Sequence, residues 1–215
     1  MSLTRPADGQ QPGTLEILKR IERDGGAITG DRTKTTTEER IRSISRLMIR
    51  RLIDREAAFL EDLPELENLG LEHTSISDEG LKYLRNLKNL RWLDLSSTPI
   101  TDAGLTHIKG LPKLTVLMLN FTDITDDGLK DVSDIRDLVT LGLAETEVTA
   151  KGIAHLRQLK KLETLNLGST GLEDEDLECL LELKSLKYVN LHGGASTPEG
   201  IEQLRKRMPH TRITH

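Results

Sequence analysis

The feature that most constrains this chain is a period. From Leu63 to about Leu204 the sequence repeats every 24 residues without an insertion. Leu63, Leu87, Leu111, Ile135, Leu159 and Leu183 open successive units, and Leu66, Leu90, Leu114, Leu138, Leu162 and Leu186 follow three places on. Two further columns stand two apart within each unit: Leu69, Leu93, Leu117, Leu141, Leu165, Val189, then Leu71, Leu95, Leu119, Leu143, Leu167, Leu191. Apolar residues separated by one variable residue mark a short strand with one buried face. The second half of each unit changes spacing. Leu81 and Leu84, Leu105 and Ile108, Leu129 and Val132, Ile153 and Leu156, Leu177 and Leu180, and Ile201 and Leu204 recur at i, i+3, which predicts one helical face.

The residues between these halves are punctuation. Ser77, Thr101, Thr125, Thr149 and Thr197 stand where helix N-caps are expected, and Asp78, Asp102, Asp126 and Asp174 place negative charge where the helix dipole favours it. The glycines at 80, 104, 128, 152 and 200 are expected to let each helix approach the neighbouring coil closely. Thr74, Thr98, Thr122, Thr146 and Thr170 are expected to turn the chain inward and bond loop backbone. One unit alone cannot bury both its leucines and its helix face, so neighbours must stack. Helices are wider than strands, about 10 Å against about 4.8 Å, so the stack curves with strands inside. The expected fold class is therefore α/β: a right-handed β-α solenoid, strands concave and helices convex.

The pattern LxxLxxLxLxxTxITDxGLxxL, read from segments such as LDLSSTPITDAGL (93–105), resembles the cysteine-containing subtype of leucine-rich repeat, with Thr in the Cys or Asn place. It is similar to the repeats of bacterial leucine-rich-repeat proteins and, more distantly, to those of F-box ubiquitin-ligase adaptors and ribonuclease inhibitor. The resemblance covers residues 63–206 and implies a horseshoe used for protein binding. Asp176 in the Gly place, Ala150 in the Asp place, and Gly194 and Ser196 in the last unit depart from the pattern.

Outside the array, residues 1–38 read as a polar tail, expected to be mobile over 1–12 and 30–37, with a short helix at 14–23 stopped by Gly25-Gly26 and followed by extended Ala27-Ile28-Thr29. Residues 39–62 read either as a degenerate first repeat, with Asp54, Ala57 and Leu60 in the places of Asp78, Leu81 and Leu84, or as an amphipathic capping helix through Ile41, Ile44, Met48 and Leu52 that starts from a Thr36–Glu39 capping box. Residues 207–215 are expected to close the other end with one short strand.

No catalytic constellation accompanies the repeats. Phosphate-cradling, dinucleotide, HExxH and GxSxG patterns are missing, and the six histidines are scattered. The reading is therefore non-enzymatic, with no cofactor and no metal. The only cysteine, Cys179, sits in an acidic segment and reads as inert. A net charge of −5 makes nucleic acid an unfavoured partner. No apolar run is long enough to span a bilayer, and the opening residues lack a signal-peptide pattern, so a soluble, cytoplasmic chain is expected.

Alternation then sends the residues between the inward leucines to the concave face. Aromatic residues make up 2% of the chain, yet Trp92, Tyr188 and Phe121 fall on or beside this surface. Trp92 should neighbour Val116, with Met118 and Phe121 one step along and Arg91, Asp94 and Asn120 flanking them. With Tyr188, Asn190 and His192 these residues form the candidate partner-binding set, and the small Gly142, Ala144 and Gly168 are expected to leave a shallow trough beside them. The function that follows is a module binding a protein or peptide on its concave face. Two alternatives stand beside it: a substrate-recognition adaptor of the ubiquitin-ligase type, and an anionic surface or nucleic acid bound through the basic run Arg40, Arg42, Arg46, Arg50, Arg51 and Arg55.

Overall fold

The computed structural model describes residues 13–30, 33–34, 36–42 and 44–215; the tail expected to be mobile over 1–12 lies outside them. The strands form one nine-stranded sheet whose order is the chain order: β1 (Ala27–Gly30), β2 (Ile44–Met48), β3 (Asn68–Gly70), β4 (Trp92–Asp94), β5 (Val116–Met118), β6 (Thr140–Gly142), β7 (Thr164–Asn166), β8 (Tyr188–Asn190) and β9 (Arg212–Thr214). β1 and β2 pair antiparallel, and every later pair is parallel. From β3 to β9 the partners are one period apart, so Asn68, Trp92, Val116, Thr140, Thr164, Tyr188 and Arg212 stand in one row across the sheet. The leucine columns fill a single continuous core from Ile17 to Ile213, with most members fully buried.

The convex side is more tightly wound than its sequence spacing suggests. Single α-turns, α3 (Asp78–Leu81), α4 (Asp102–Leu105), α5 (Gly128–Val132) and α6 (Ala150–Ile153), alternate with 3-10 turns at Lys82–Leu84, Ala154–Gln158 and Asp174–Glu182. The apolar residues run 81, 84, 87, 90, which is a period of three and not 3.6, and a 3-10 turn keeps such residues in line. Leu87 N–H donates to Leu84 O and Leu90 N–H to Leu87 O, both at 3.0 Å, carrying that winding on to the next strand.

One interlock recurs between units. Each Asp at a helix start accepts two hydrogen bonds from the Ser or Thr of the next unit, one from its N–H and one from its hydroxyl. The pairs are Asp54 with Ser77, Asp78 with Thr101, Asp102 with Thr125, Asp126 with Thr149 and Asp174 with Thr197, with N···O distances of 2.7–2.9 Å and O···O of 2.6–2.7 Å. The same carboxylate lies against the glycine three residues past its partner, at 80, 104, 128, 152 and 200, and a Cβ at any of these would overlap its Oδ1. The threonines expected as caps do accept locally, at Thr101, Thr125, Thr149 and Thr197, while the bonds donated across the joint are shared by all five pairs, Ser77 included.

Where the pattern departs, both members depart together. Ala150 cannot reach forward, so Asp176 can occupy the glycine place without collision; it closes a capping box with Glu173 inside its own unit. Backbone bonds such as Glu147 N–H to Ile124 O also tie the convex coils of neighbouring units. Among the described residues the joint from Val148–Ala150 to Gly171–Asp176 has neither tie.

The strand ends are held by the threonine column. Thr74, Thr98, Thr122, Thr146 and Thr170 are buried, and each hydroxyl donates to the Leu carbonyl three residues before it at 2.5–2.7 Å. The residue preceding each of them, His73, Ser97, Phe121, Glu145 or Ser169, holds φ between 53 and 58°. Gly193 takes that place in the last unit.

Both ends of the core are covered. Helix α1 (Thr14–Arg23) buries Ile17, Leu18 and Ile21, and its Arg20 makes a two-pronged ion pair with Glu56 at 2.7 and 2.9 Å. Hydrogen bonding to Arg20 holds the Glu56 carboxyl below the usual carboxylate range. Helix α2 (Thr37–Arg42) opens on the reciprocal Thr36–Glu39 bonds, both 3.2 Å, that the sequence predicts. It does not continue through Met48 as an amphipathic helix would, because Ile44 to Met48 are drawn into the sheet as β2. β2 pairs with β3 at a spacing of 22 residues (Arg46 with Asn68), and a 3-10 turn at Asp54–Asp62 follows. At the other end α7 (Pro198–Arg207) packs behind β9, and Arg205 Nη2 donates to the outward carbonyl of Ile213 at 3.1 Å, occupying an acceptor on the open edge.

The interlock makes an unusual prediction about sign. Ala normally favours a helix over Gly by about 1 kcal/mol, yet Gly104→Ala is expected to destabilise by about 1–3 kcal/mol because its Cβ meets Asp78. Asp78→Ala alone loses the two Thr101 bonds. The double variant, which reproduces the natural Ala150–Asp176 logic, is expected to be more stable than the sum of the two single changes by about 1 kcal/mol. Urea unfolding of the four proteins measures this coupling.

Candidate functional site

On the concave face the central row begins one strand earlier than the regular repeats, with Arg46, and runs through Asn68, Trp92, Val116, Thr140, Thr164 and Tyr188 to Arg212. A second row beside it holds Met48, Gly70, Asp94, Met118, Gly142, Asn166, Asn190 and Thr214. Trp92 and Val116 are register neighbours, both half-buried, and neither packs against the leucine core, which lies on the other side of the sheet. Met118 is half-buried on the strand beside Asp94.

The sequence reading missed Met48. Its Sδ and Cε occupy the space above Gly70, with Trp92 close on the other side, so the apolar cluster extends to Met48, Trp92, Val116 and Met118. The signal was present in Gly70, whose missing side chain leaves room for both neighbours, but the register of residues 39–62 had to be known to use it.

Phe121 stands on the rim, at a left-handed φ of 56° on the turn after β5, and is 58% exposed. Arg91 is exposed at the start of β4. Tyr188 lies four strands from Trp92, roughly 19 Å away at about 4.8 Å per strand, so the two aromatics belong to different parts of the face. Its hydroxyl lies 3.1 Å from Thr214 Oγ1, and the Arg212 guanidinium sits 6.0 Å from its ring centre.

The short polar side chains of the predicted set, Asp94, Asn120 and Asn190, are occupied internally. Asp94 is 8% exposed, and its Oδ1 accepts from Ser96 N–H at 2.9 Å. Asn120 is 9% exposed; it donates to Ser96 Oγ at 3.2 Å and accepts from Ala144 N–H at 3.0 Å. Asn190 Nδ2 donates to Asn166 Oδ1 at 2.8 Å, and Asn166 Nδ2 in turn reaches Asn120 Oδ1 at 3.3 Å. That second bond spans two units and passes over Gly142, where no side chain blocks it. His192 is exposed, and its N–H donates to Asn190 Oδ1 at 3.1 Å. The expected trough is therefore filled: Met118 Cε and the Asn120 carboxamide lie against Gly142, and Asn190 lies against Gly168.

Charge on this face is arranged with equal economy. Glu72 is exposed, yet its carboxyl is pushed above the usual carboxylate range by the hydration it loses against the sheet, then by hydrogen bonding with Asp94 and by that neighbour's charge, with His73 and Arg50 acting in the opposite direction. Elsewhere, burial pushes the Cys179 thiol up to about 12, consistent with an inert cysteine. Among the described residues no group of three or more His, Cys, Asp or Glu side chains could hold a metal ion. No helix among them is long and apolar enough to cross a membrane.

Comparison with known proteins agrees with this architecture. A family model described as leucine-rich repeat matches residues 64–124, and a second leucine-rich-repeat model matches residues 158–181. No curated protein matches in sequence. Among solved structures, internalin C2 of Listeria monocytogenes superposes with a TM-score of 0.65 at 24% identity, over 86% of this chain and 76% of that one. A leucine-rich-repeat protein of Leptospira interrogans superposes with a TM-score of 0.62 at 24% identity, over 85% of this chain; the match spans about half, 52%, of the Leptospira chain. Both likenesses concern the fold, and the chain folds as a leucine-rich-repeat solenoid.

The Glu72–Asp94 contact has a testable pH signature. A carboxyl whose folded pKa is raised holds its proton more tightly in the native state, so native stability falls as pH rises from the ordinary carboxylate range through the folded value. Glu72→Gln removes that loss. The variant is expected to match the wild type in acid, where both carry a neutral side chain, and to be the more stable protein at neutral pH; denaturant melts at a series of pH values check it.

Proposed function

We propose that the protein is a non-enzymatic interaction module that grips another protein or a peptide on its concave face. Leucine-rich-repeat proteins are in general protein-interaction modules, and the finer assignment rests on one observation: Met48, Trp92, Val116 and Met118 gather on the solvent side of the sheet instead of packing against the core. Tryptophan, methionine and arginine are the residue types that interfaces concentrate, and a tryptophan set among smaller apolar groups is the usual form of a binding hot spot. Arg91 and Phe121 stand at the margins of this cluster, where exposed side chains meet a partner first. The buried Asp94 and Asn120 support the surface from beneath, and Tyr188, Asn190 and His192 line its far end.

We also read the repeats as a threonine-bearing form of the cysteine-containing subtype, on the strength of the five buried threonines that donate to strand-end carbonyls. A substrate-recognition adaptor of the ubiquitin-ligase type would use this same concave surface, so the same variants test it. Binding of an anionic surface or nucleic acid by the N-terminal arginines is less favoured. Arg46 belongs to the concave row, Arg50 Nε donates to Gly25 O at 3.1 Å, and Arg55 lies in the 3-10 turn on the convex side, so the run is divided among surfaces.

Affinity capture from host lysate with the wild type and with Trp92→Ala/Met118→Asp tests the assignment, after circular dichroism shows that both fold. A protein held by the wild type is expected to be reduced more than about tenfold with the variant, the loss of roughly 1.4 kcal/mol that one hot-spot residue readily accounts for. Equal capture by both proteins sinks the concave reading.

A further inference from the structure

The concave reading can be taken further through the charge of its central row. The chain as a whole carries −5, and carboxylates outnumber cations. The central row nevertheless contains no carboxylate: its only charged members are the arginines at its two ends, Arg46 and Arg212, both exposed. Some arginines of the fold are neutralised by acids, as Arg20 is by Glu56, Arg136 by Asp134, Arg205 by Glu202 and Arg207 by Glu178, whereas Arg50, Arg51, Arg55, Arg85 and Arg157, all off the row, have no ion pair among the described residues. Neither Arg46 nor Arg212 has an ion pair among the described residues, and Arg91, exposed beside Trp92, has none either. Arg212 is braced on the Tyr188 ring, which fixes its guanidinium at the end of the row.

The acids nearest the row lie outside it: Asp94 is buried and bonded to Ser96 N–H, Glu163 pairs with Lys187 at 2.7 Å, and Glu67 and Glu72 are exposed in the flanking columns. Between the two arginines lie seven strand steps, about 34 Å at about 4.8 Å each, which an extended chain covers in about ten residues.

Resting on the concave reading, we propose that the occupant of this face is an acidic amphipathic segment of a partner protein, laid across the strands. Its apolar side chain packs on Trp92 and Val116, and its carboxylates meet Arg46 and Arg212. Apolar contact supplies most of the affinity, and the arginines select for charge and fix direction.

The probe is a random peptide library of about 12 residues, long enough to span the row, displayed on phage and selected on the whole protein. Enriched sequences are synthesised without tryptophan and titrated while following emission from Trp92, the chain's only tryptophan. The expected peptides are net acidic, carry an aromatic or large aliphatic residue, and change the emission of Trp92. They weaken as ionic strength rises and lose about tenfold or more in affinity on Arg46→Glu/Arg212→Glu, whereas Arg157→Glu, an exposed change away from the row, leaves them unaffected. Neutral or basic peptides that change Trp92 emission and ignore the Arg46→Glu/Arg212→Glu pair overturn the acidic partner but leave the concave site standing. Peptides that bind without altering Trp92 emission, and bind Trp92→Ala equally well, overturn both. Failure to enrich any sequence overturns the linear acidic segment.

Discussion

A carboxylate that reaches one unit forward sets the spacing of the convex side. Hydrophobic stacking of leucines is non-directional and would tolerate sliding between neighbouring coils. The paired bonds from Asp78 to Thr101, with Gly104 lying against the same carboxylate, do not tolerate it, because a bond of 2.7–2.9 Å and a missing Cβ define one relative position. Repeated five times, the interlock holds the convex coils against sliding; the concave ladder keeps the same register even at β6–β7, where the interlock is missing.

Most of this architecture is legible in the sequence because repetition removes ambiguity. A single LxL is a poor strand signal, but the same doublet at Leu69/Leu71, Leu93/Leu95 and onward at a constant interval is a strong one. Local winding was harder to read: the i, i+3 pairs suggest a 3.6-residue helix until Leu87 and Leu90 are included, after which a spacing of three points to 3-10 turns. The link between Ala150 and Asp176 was hidden for a different reason. Each reads alone as an isolated departure, and only contact across the joint shows that the loss of the carboxylate is what permits the side chain in the glycine place.

The candidate surface was legible in outline and not in composition. Alternation along a strand says which residues leave the core, so Trp92, Val116 and Met118 could be placed. It does not say what those residues do with one another once there. Asp94, Asn120 and Asn190 looked like free polar contacts, yet their hydrogen-bonding capacity is turned to strand-end backbone and to one another. Gly142 looked like a gap and is covered by neighbours that exploit it. Short polar side chains at the ends of short strands are recruited first by unpaired backbone groups, because leaving those groups unmet is costly.

The joint that lacks both convex ties divides the molecule unevenly. In a linear array each unit is stabilised mainly by its neighbours, so cooperativity extends only as far as the coupling between them. Across Val148–Ala150 and Gly171–Asp176 the convex coupling falls to packing of the shared leucines, and the ties that remain are on the strand side: the β6–β7 ladder, the Asn166–Asn120 bond and the exposed Lys161–Asp137 ion pair. Opening that begins at the C-terminal end therefore meets its first stopping place there, and the amides from Glu173 onward belong to a less protected hydrogen-exchange unit than those of the preceding coils. Trp92 and Val116 lie within the better-coupled block, while Tyr188 and Arg212 lie beyond the divide, so the two ends of the central row are held with unequal stiffness.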